Sequence, residues 1–148
     1  MHLTLKFLGQ VTLPQRAAVE GALATAVAAA PDLQLHLGNA GSFADRGVPR
    51  VLWVGVGGDT KALSELAAHV DLALAGVGFA PERRPFAAHL TLARLPDEMP
   101  ASVRHRVIAV ASAVELPKRD PFVVREVALV RSHLGPGGAR YEIVGRWP

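Results

Sequence analysis

The chain has 148 residues, 50% of them hydrophobic, and 16 Lys and Arg stand against 13 Asp and Glu, for a formal charge of +3 and a pI near 10.0. That length suits one domain or two small lobes sharing a core. With no cysteine, disulfides and thiolate metal sites are excluded, and no apolar run approaches the roughly 20 residues of a membrane-spanning helix. The basic excess is compatible with a polyanionic ligand without demanding one. The start of the sequence lacks the charged, apolar and small-residue order of a signal peptide, so a cytoplasmic location is the expectation.

Residues 2–8 alternate apolar and polar side chains and predict a strand that stops at Gly9. Pro14 suits the first turn of a helix over 15–29, which Pro31-Asp32 ends. Residues 33–37 predict a strand with one apolar face, 39–49 a loop rich in Gly, Ser, Asp and Pro, and 50–56 (RVLWVGV) a strand covered on both faces. Gly57-Gly58-Asp59 leads into a helix over 60–75, with Asp59 placed as its N-cap. This glycine pair has neither G-x-G-x-x-G nor G-K-[ST] spacing and reads as a tight connection.

A fourth strand begins at His89, a third helix spans 100–113, and Pro117 and Pro121 bracket a turn. Residues 122–132 predict one long strand, and Gly135-Pro136-Gly137-Gly138 turns it into a final strand over 140–147, a hairpin. Trp53 and Trp147 read as core.

Two tetrapeptides are identical: His2-Leu3-Thr4-Leu5 and His89-Leu90-Thr91-Leu92. On a strand, residues i and i+2 share a face, so His2 lies beside Thr4 and His89 beside Thr91, with the leucines turned to the core. Each copy leads into helix, strand, glycine loop and strand, as expected of two similar lobes presenting His and Thr to a shared cleft. The second copy is preceded by a strand and a helix, the first by a single methionine.

Histidine exchanges a proton near neutral pH. Two of them, one as base and one as acid, suit in-line displacement at phosphorus, where the nucleophile loses a proton and the leaving oxygen gains one. Threonine hydroxyls on the same face can donate to phosphoryl oxygens as charge builds. The set calls for no metal, no cofactor and no nucleophilic side chain. A two-histidine metal site would want a further ligand that neither motif brings. The other histidines (His36, His69, His105, His133) lack a threonine two residues on and read as surface or helix-face residues.

The paired motifs resemble the 2H phosphoesterase superfamily, in particular the RNA 2′,3′-cyclic phosphodiesterases, also called 2′-5′ RNA ligases (LigT-like). The likeness extends to HLTLKFLG (2–9), G-x-F followed by RVLWVGV (41–56), RPF-x-x-HLTLAR (84–94) and RS-x-L…G-x-x-Y-E (131–142). The resemblance implies His2 and His89 as the acid/base pair, Thr4 and Thr91 as phosphate ligands, and Phe7 and Arg94 as residues lining the substrate cleft. Strict alternation sets Phe7 and Arg94 on the face opposite the histidines, so they reach the cleft only if the strand ends or twists. Arg84 matches a recurrent arginine, for which a salt bridge at the lobe junction is an equal account. Ala88 departs from the proline that usually precedes the second histidine. The family also carries a strand, a helix and a further strand before the first motif, so residues 1–148 are expected to be a single bilobal domain whose first lobe is truncated.

The expected fold is α+β: two pseudo-symmetric lobes of mainly antiparallel sheet flanked by helices. The expected reaction is metal-independent hydrolysis of RNA 2′,3′-cyclic phosphate ends, tRNA fragments among them, to 2′-phosphates, with reversible 2′-5′ ligation as a related activity. By the family's pattern His89 is base to the water and His2 acid to the 3′ oxygen; the residues alone leave the reverse assignment open. Two rival readings stand: a phosphodiesterase acting on another cyclic phosphate (a nucleotide or ADP-ribose derivative), and a non-catalytic RNA-end-binding module. A monomer, with no membrane partner, is the default.

Overall fold

The computed structural model describes residues 2–114, 120–136 and 138–148. The turn expected at Pro117 lies outside these residues. The fold is α+β, in the order α1 (Leu13–Val27), β1 (Leu33–Asp45), β2 (Val48–Gly58), α2 (Thr60–Ala75), β3 (His89–Arg94), α3 (Ala101–Ala113), β4 (Phe122–Val124), β5 (Val127–Gly135) and β6 (Gly138–Trp147). No helix among the described residues is long and apolar enough to cross a membrane.

The chain divides into two compact units, one of Met1–Thr4, Gln34–Lys61 and Ala87–Val123, the other of Leu5–Leu33, Ala62–Phe86 and Val124–Pro148. The first is built on a four-stranded sheet in the order β3-β2-β1-β4, with β2 antiparallel to both β1 and β3. Helix α3 packs against β2. The second unit contains the antiparallel β5–β6 hairpin, α1 and most of α2.

Local chemistry accounts for the helices. Thr12 and Gln15 form a capping box at α1, each satisfying the other's backbone N–H, and Pro14 occupies the first turn. Val19, Leu23 and Val27 follow at intervals of four and make one buried stripe. On α2, Leu63, Leu66, Ala67, Val70 and Leu74 repeat the pattern, each large side chain contributing about 1.5–3 kcal/mol by leaving water. Arg16 on α1 donates through Nη2 to the Val144 carbonyl of β6 at 2.8 Å, joining helix to hairpin. Asp59, expected as a cap, accepts the Gln34 backbone N–H through its carboxylate at 2.8 Å.

Three strand expectations change. The loop expected over 39–49 is mostly ladder: Ala40, Gly41, Ser42 and Phe43 pair with Val54, Trp53, Leu52 and Val51. Only Arg46 and Gly47 turn, with φ of 48° and 81°, the left-handed pair of a two-residue hairpin. Pairing with Trp53 and Leu52 of β2 holds Gly41 and Ser42 extended, and β-bulges interrupt the ladder on either side of this stretch.

The long strand expected over 122–132 splits, since β4 joins the four-stranded sheet and β5 the hairpin. The two residues at the change, Arg125 and Glu126, are ion-paired with Asp32 and Arg146. The strand expected over 2–8 is not formed among the described residues. Alternation supplies a suitable face, but a strand also needs a neighbour to accept its backbone hydrogen bonds. The chain bends at Leu5, where the first unit gives way to the second.

Candidate active site

His89 opens β3 opposite Gly55 of β2, Leu90 lies opposite Val54, and Thr91 opposite Trp53. Directly opposed residues of an antiparallel pair share a face. His89 and Thr91 therefore stand together with Trp53, while Leu90 turns with the buried Val54 to the other side. The neighbouring register places Gly41 opposite Trp53 and Phe43 opposite Val51, so Phe43 joins the histidine face. Its ring meets the His89 imidazole edge-on, with centroids 4.8 Å apart and planes at 90°. Trp53 lies 5.4 Å from Phe43 and 6.4 Å from His89.

The His89 ring is tied through Nδ1 to the Ala87 carbonyl at 2.7 Å. A carbonyl can only accept, so Nδ1 carries the proton and the neutral ring keeps Nε2 as its lone-pair nitrogen. The imidazole is half-buried and Thr91 is exposed. A neutral imidazole held in this way can take up a proton at Nε2, and the Thr91 hydroxyl on the same face can donate.

Arg94 departs from the strict alternation of the sequence reading. On β2 the partners Trp53, Leu52 and Val51 are consecutive, whereas on β3 they face Thr91, Ala93 and Arg94. Leu92 is the extra residue of a bulge. The bulge shifts the phase by one and returns Arg94 to the face of His89 and Thr91. It also leaves Leu92 45% exposed, against the expectation that it turns into the core.

The first motif is arranged differently. His2 and Thr4 are exposed and Leu3 and Leu5 half-buried, so the alternation survives without a ladder. After the bend at Leu5 the phase slips. Lys6 turns inward, its ammonium donating to the Asp71 carboxylate and to the Ala80 carbonyl at 2.7 Å, and Phe7 is left 79% exposed. The Lys6 hydrogen bond holds the Asp71 carboxyl below its ordinary value of 3.8, helped by the Glu82 backbone N–H and opposed by desolvation. His2, Thr4, His89, Thr91 and Arg94 belong to the first unit and Phe7 to the second.

The sequence reading missed the aromatic surroundings of His89. Trp53, expected in the core, is half-buried on the histidine face, and its Nε1 is sealed from water without an acceptor among the described residues. The available signal was the alternation of 51, 53 and 55, once the 39–49 segment is known to be a strand. His36, opposite Gly57, shares this face as well. A depression of about 430 Å³ lined by Arg46, Arg50, Asp97, Glu98 and Arg104, among others, includes none of the residues chosen from sequence. It lies toward the end of β2 away from Gly55.

A family model described as the 2'-5' RNA ligase superfamily matches residues 1–136. The chain belongs to this superfamily. An RNA 2',3'-cyclic phosphodiesterase of Geobacillus stearothermophilus is 35% identical over 149 residues, covering 99% of this chain and 45% of the relative. One of Aeropyrum pernix is 36% identical over 105 residues, covering 70% of this chain and 58% of the relative. The chain thus spans about half the length of these curated relatives. The crystal structure of E. coli LigT complexed with 3'-AMP superposes with a TM-score of 0.72 at 30% identity, over 99% of this chain and 75% of that one.

Proposed function

We propose that this superfamily member opens 2′,3′-cyclic phosphate ends of RNA to 2′-phosphates, with residues 1–148 acting as one catalytic domain. The observation that carries the reading is one face of β3: His89 held through Nδ1 so that Nε2 is the lone-pair nitrogen, Thr91 two residues on, and Arg94 restored to that face by the bulge. The names of the relatives, RNA 2',3'-cyclic phosphodiesterases, support the substrate class.

In this reading His89 Nε2 takes a proton from water as the water oxygen bonds to phosphorus. The bond from phosphorus to O3′ breaks, and His2 delivers a proton to O3′. The Thr4 and Thr91 hydroxyls donate to the non-bridging oxygens, where charge grows, and Arg94 adds a fixed positive charge. Phe7 offers an exposed ring for contact with a base or ribose. With a 5′-hydroxyl in place of water, the same two histidines would form a bond from that oxygen to phosphorus as the bond to O3′ breaks, leaving a 2′-5′ linkage, the ligation activity. Every proton transfer has a side-chain partner, so the step calls for no metal.

The deciding experiment incubates the protein with an oligonucleotide ending in a 2′,3′-cyclic phosphate, in EDTA, and maps the end group formed. A 2′-phosphate is the expected product. A 3′-phosphate would overturn the direction of ring opening, and bound but unchanged RNA would favour a non-catalytic end-binding module. Activity abolished by the chelator and restored by a divalent ion would overturn the two-histidine chemistry.

A further inference from the structure

The G-x-F motif and the tryptophan of RVLWVGV are used neither by proton transfer nor by phosphate binding, yet they converge on His89. Gly41 lies opposite Trp53, and a Cβ built there would run into the six-membered ring of the indole. The absent side chain is what lets Trp53 lie flat across β1. Trp53 in turn lies against Phe43, and both rings lie against His89, Phe43 squarely edge-on.

We propose that Gly41, Phe43 and Trp53 form a cradle that holds the His89 imidazole in one flip state, with Nδ1 on the Ala87 carbonyl and Nε2 free for substrate. The physical need follows from the torsion. Rotation of an imidazole about χ2 is broad and two-fold, and a half turn would exchange Nδ1 for a carbon and break the bond to Ala87. A single hydrogen bond on a half-buried ring is only a modest bias against that flipped state. Edge-to-face packing is directional, and with Phe43 and Trp53 beside the ring it raises the energy of the turned orientation. These are positioning residues: they act through His89 and need not touch the substrate. Their value to turnover rests on the two-histidine reading above; their effect on the His89 ring does not.

The test reads the ring nitrogens of His89 directly. In 15N-labelled protein above about pH 8, where an ordinary imidazole is neutral, the unaltered chain should show one tautomer, with Nδ1 protonated and Nε2 bare. Phe43→Leu keeps bulk but loses the ring, and both nitrogen shifts should move toward averaged values. Phe43→Tyr should restore them. Gly41→Ala should resemble Phe43→Leu by displacing Trp53, and if it does not fold, the Phe43 pair still decides. Backbone amide spectra establish that each variant is folded. A folded Phe43→Leu protein with unaltered nitrogen shifts would overturn the cradle.

On a cyclic-phosphate oligonucleotide, Phe43→Leu should lower kcat roughly ten-fold or more with little change in KM, the pattern of a misaligned group rather than weakened binding. A raised KM at unchanged kcat would overturn the positioning role. If the unaltered protein turns over no cyclic phosphate, the proposed function fails, and the nitrogen shifts alone decide the cradle.

Discussion

His89 has two neighbours with opposite demands: a carbonyl that fixes its proton on Nδ1 and a threonine that must stay accessible on the same face. If the pair works as base and donor, His89→Ala and His2→Ala should each lower turnover on the order of 10²-fold or more, with little change in thermal unfolding. Near-normal rates in either variant would remove that histidine from the chemistry. Thr91→Ala and Thr4→Ala should weaken transition-state binding by about 1–3 kcal/mol, the range for hydrogen bonds to a charged group. Thr→Ser at either position keeps the hydroxyl and should be much milder; equal damage from Ser and Ala would indicate packing through the methyl. At this scale the sequence was legible because His-x-Thr on a strand is purely local. Arg94 was not legible, because its face depends on a bulge that β2 imposes from 40 residues away in sequence.

Among the elements, the helices were readable to within about two residues because their caps and apolar stripes are local: Thr12 with Gln15, then Val19, Leu23 and Val27. Strands were readable only where alternation was apolar enough to outweigh turn-forming residues. The 39–49 segment looked like a loop because its pairing partner, β2, is needed to make Gly41 and Ser42 extended. The segment 2–8 failed in the opposite sense, with alternation but no ladder among the described residues. From Leu5 onward the segment belongs to the second unit, where Lys6 is held by Asp71 and the Ala80 carbonyl. Because the Asp71 carboxyl sits below its ordinary 3.8, this tie stabilises the fold at and above that pH. The contribution disappears as pH falls from there through the folded-state value. The Glu82 amide, which donates to the same carboxylate at 3.1 Å, should report the loss as a chemical-shift transition below pH 3.8. Asp71→Asn should abolish the transition. An unchanged Glu82 titration in that variant would mean that another group is responsible.

For the molecule as a whole, the pI near 10.0 bears on the choice between RNA and a smaller cyclic phosphate as substrate. A mononucleotide engages only the phosphate at the reacting centre, which His89, Thr91 and Arg94 already surround in the proposed reading. An oligonucleotide adds upstream phosphates, and each one neutralised by a Lys or Arg releases condensed counterions. The logarithm of affinity then falls with the logarithm of salt, by roughly 0.7 per phosphate contact for a single strand. If RNA is the substrate, kcat/KM for a cyclic-phosphate oligonucleotide should fall steeply as salt rises, while that for a cyclic mononucleotide falls much less. With a formal charge of only +3, general attraction contributes little to such a slope, so it would report contacts made at defined arginines. Arg94→Ala removes one such charge beside Thr91 and should lower kcat/KM for both substrates. Arginines that meet only upstream phosphates should change the oligonucleotide slope alone. Equal salt slopes for the two substrates would indicate that the protein recognises the cyclic phosphate and not the strand that carries it.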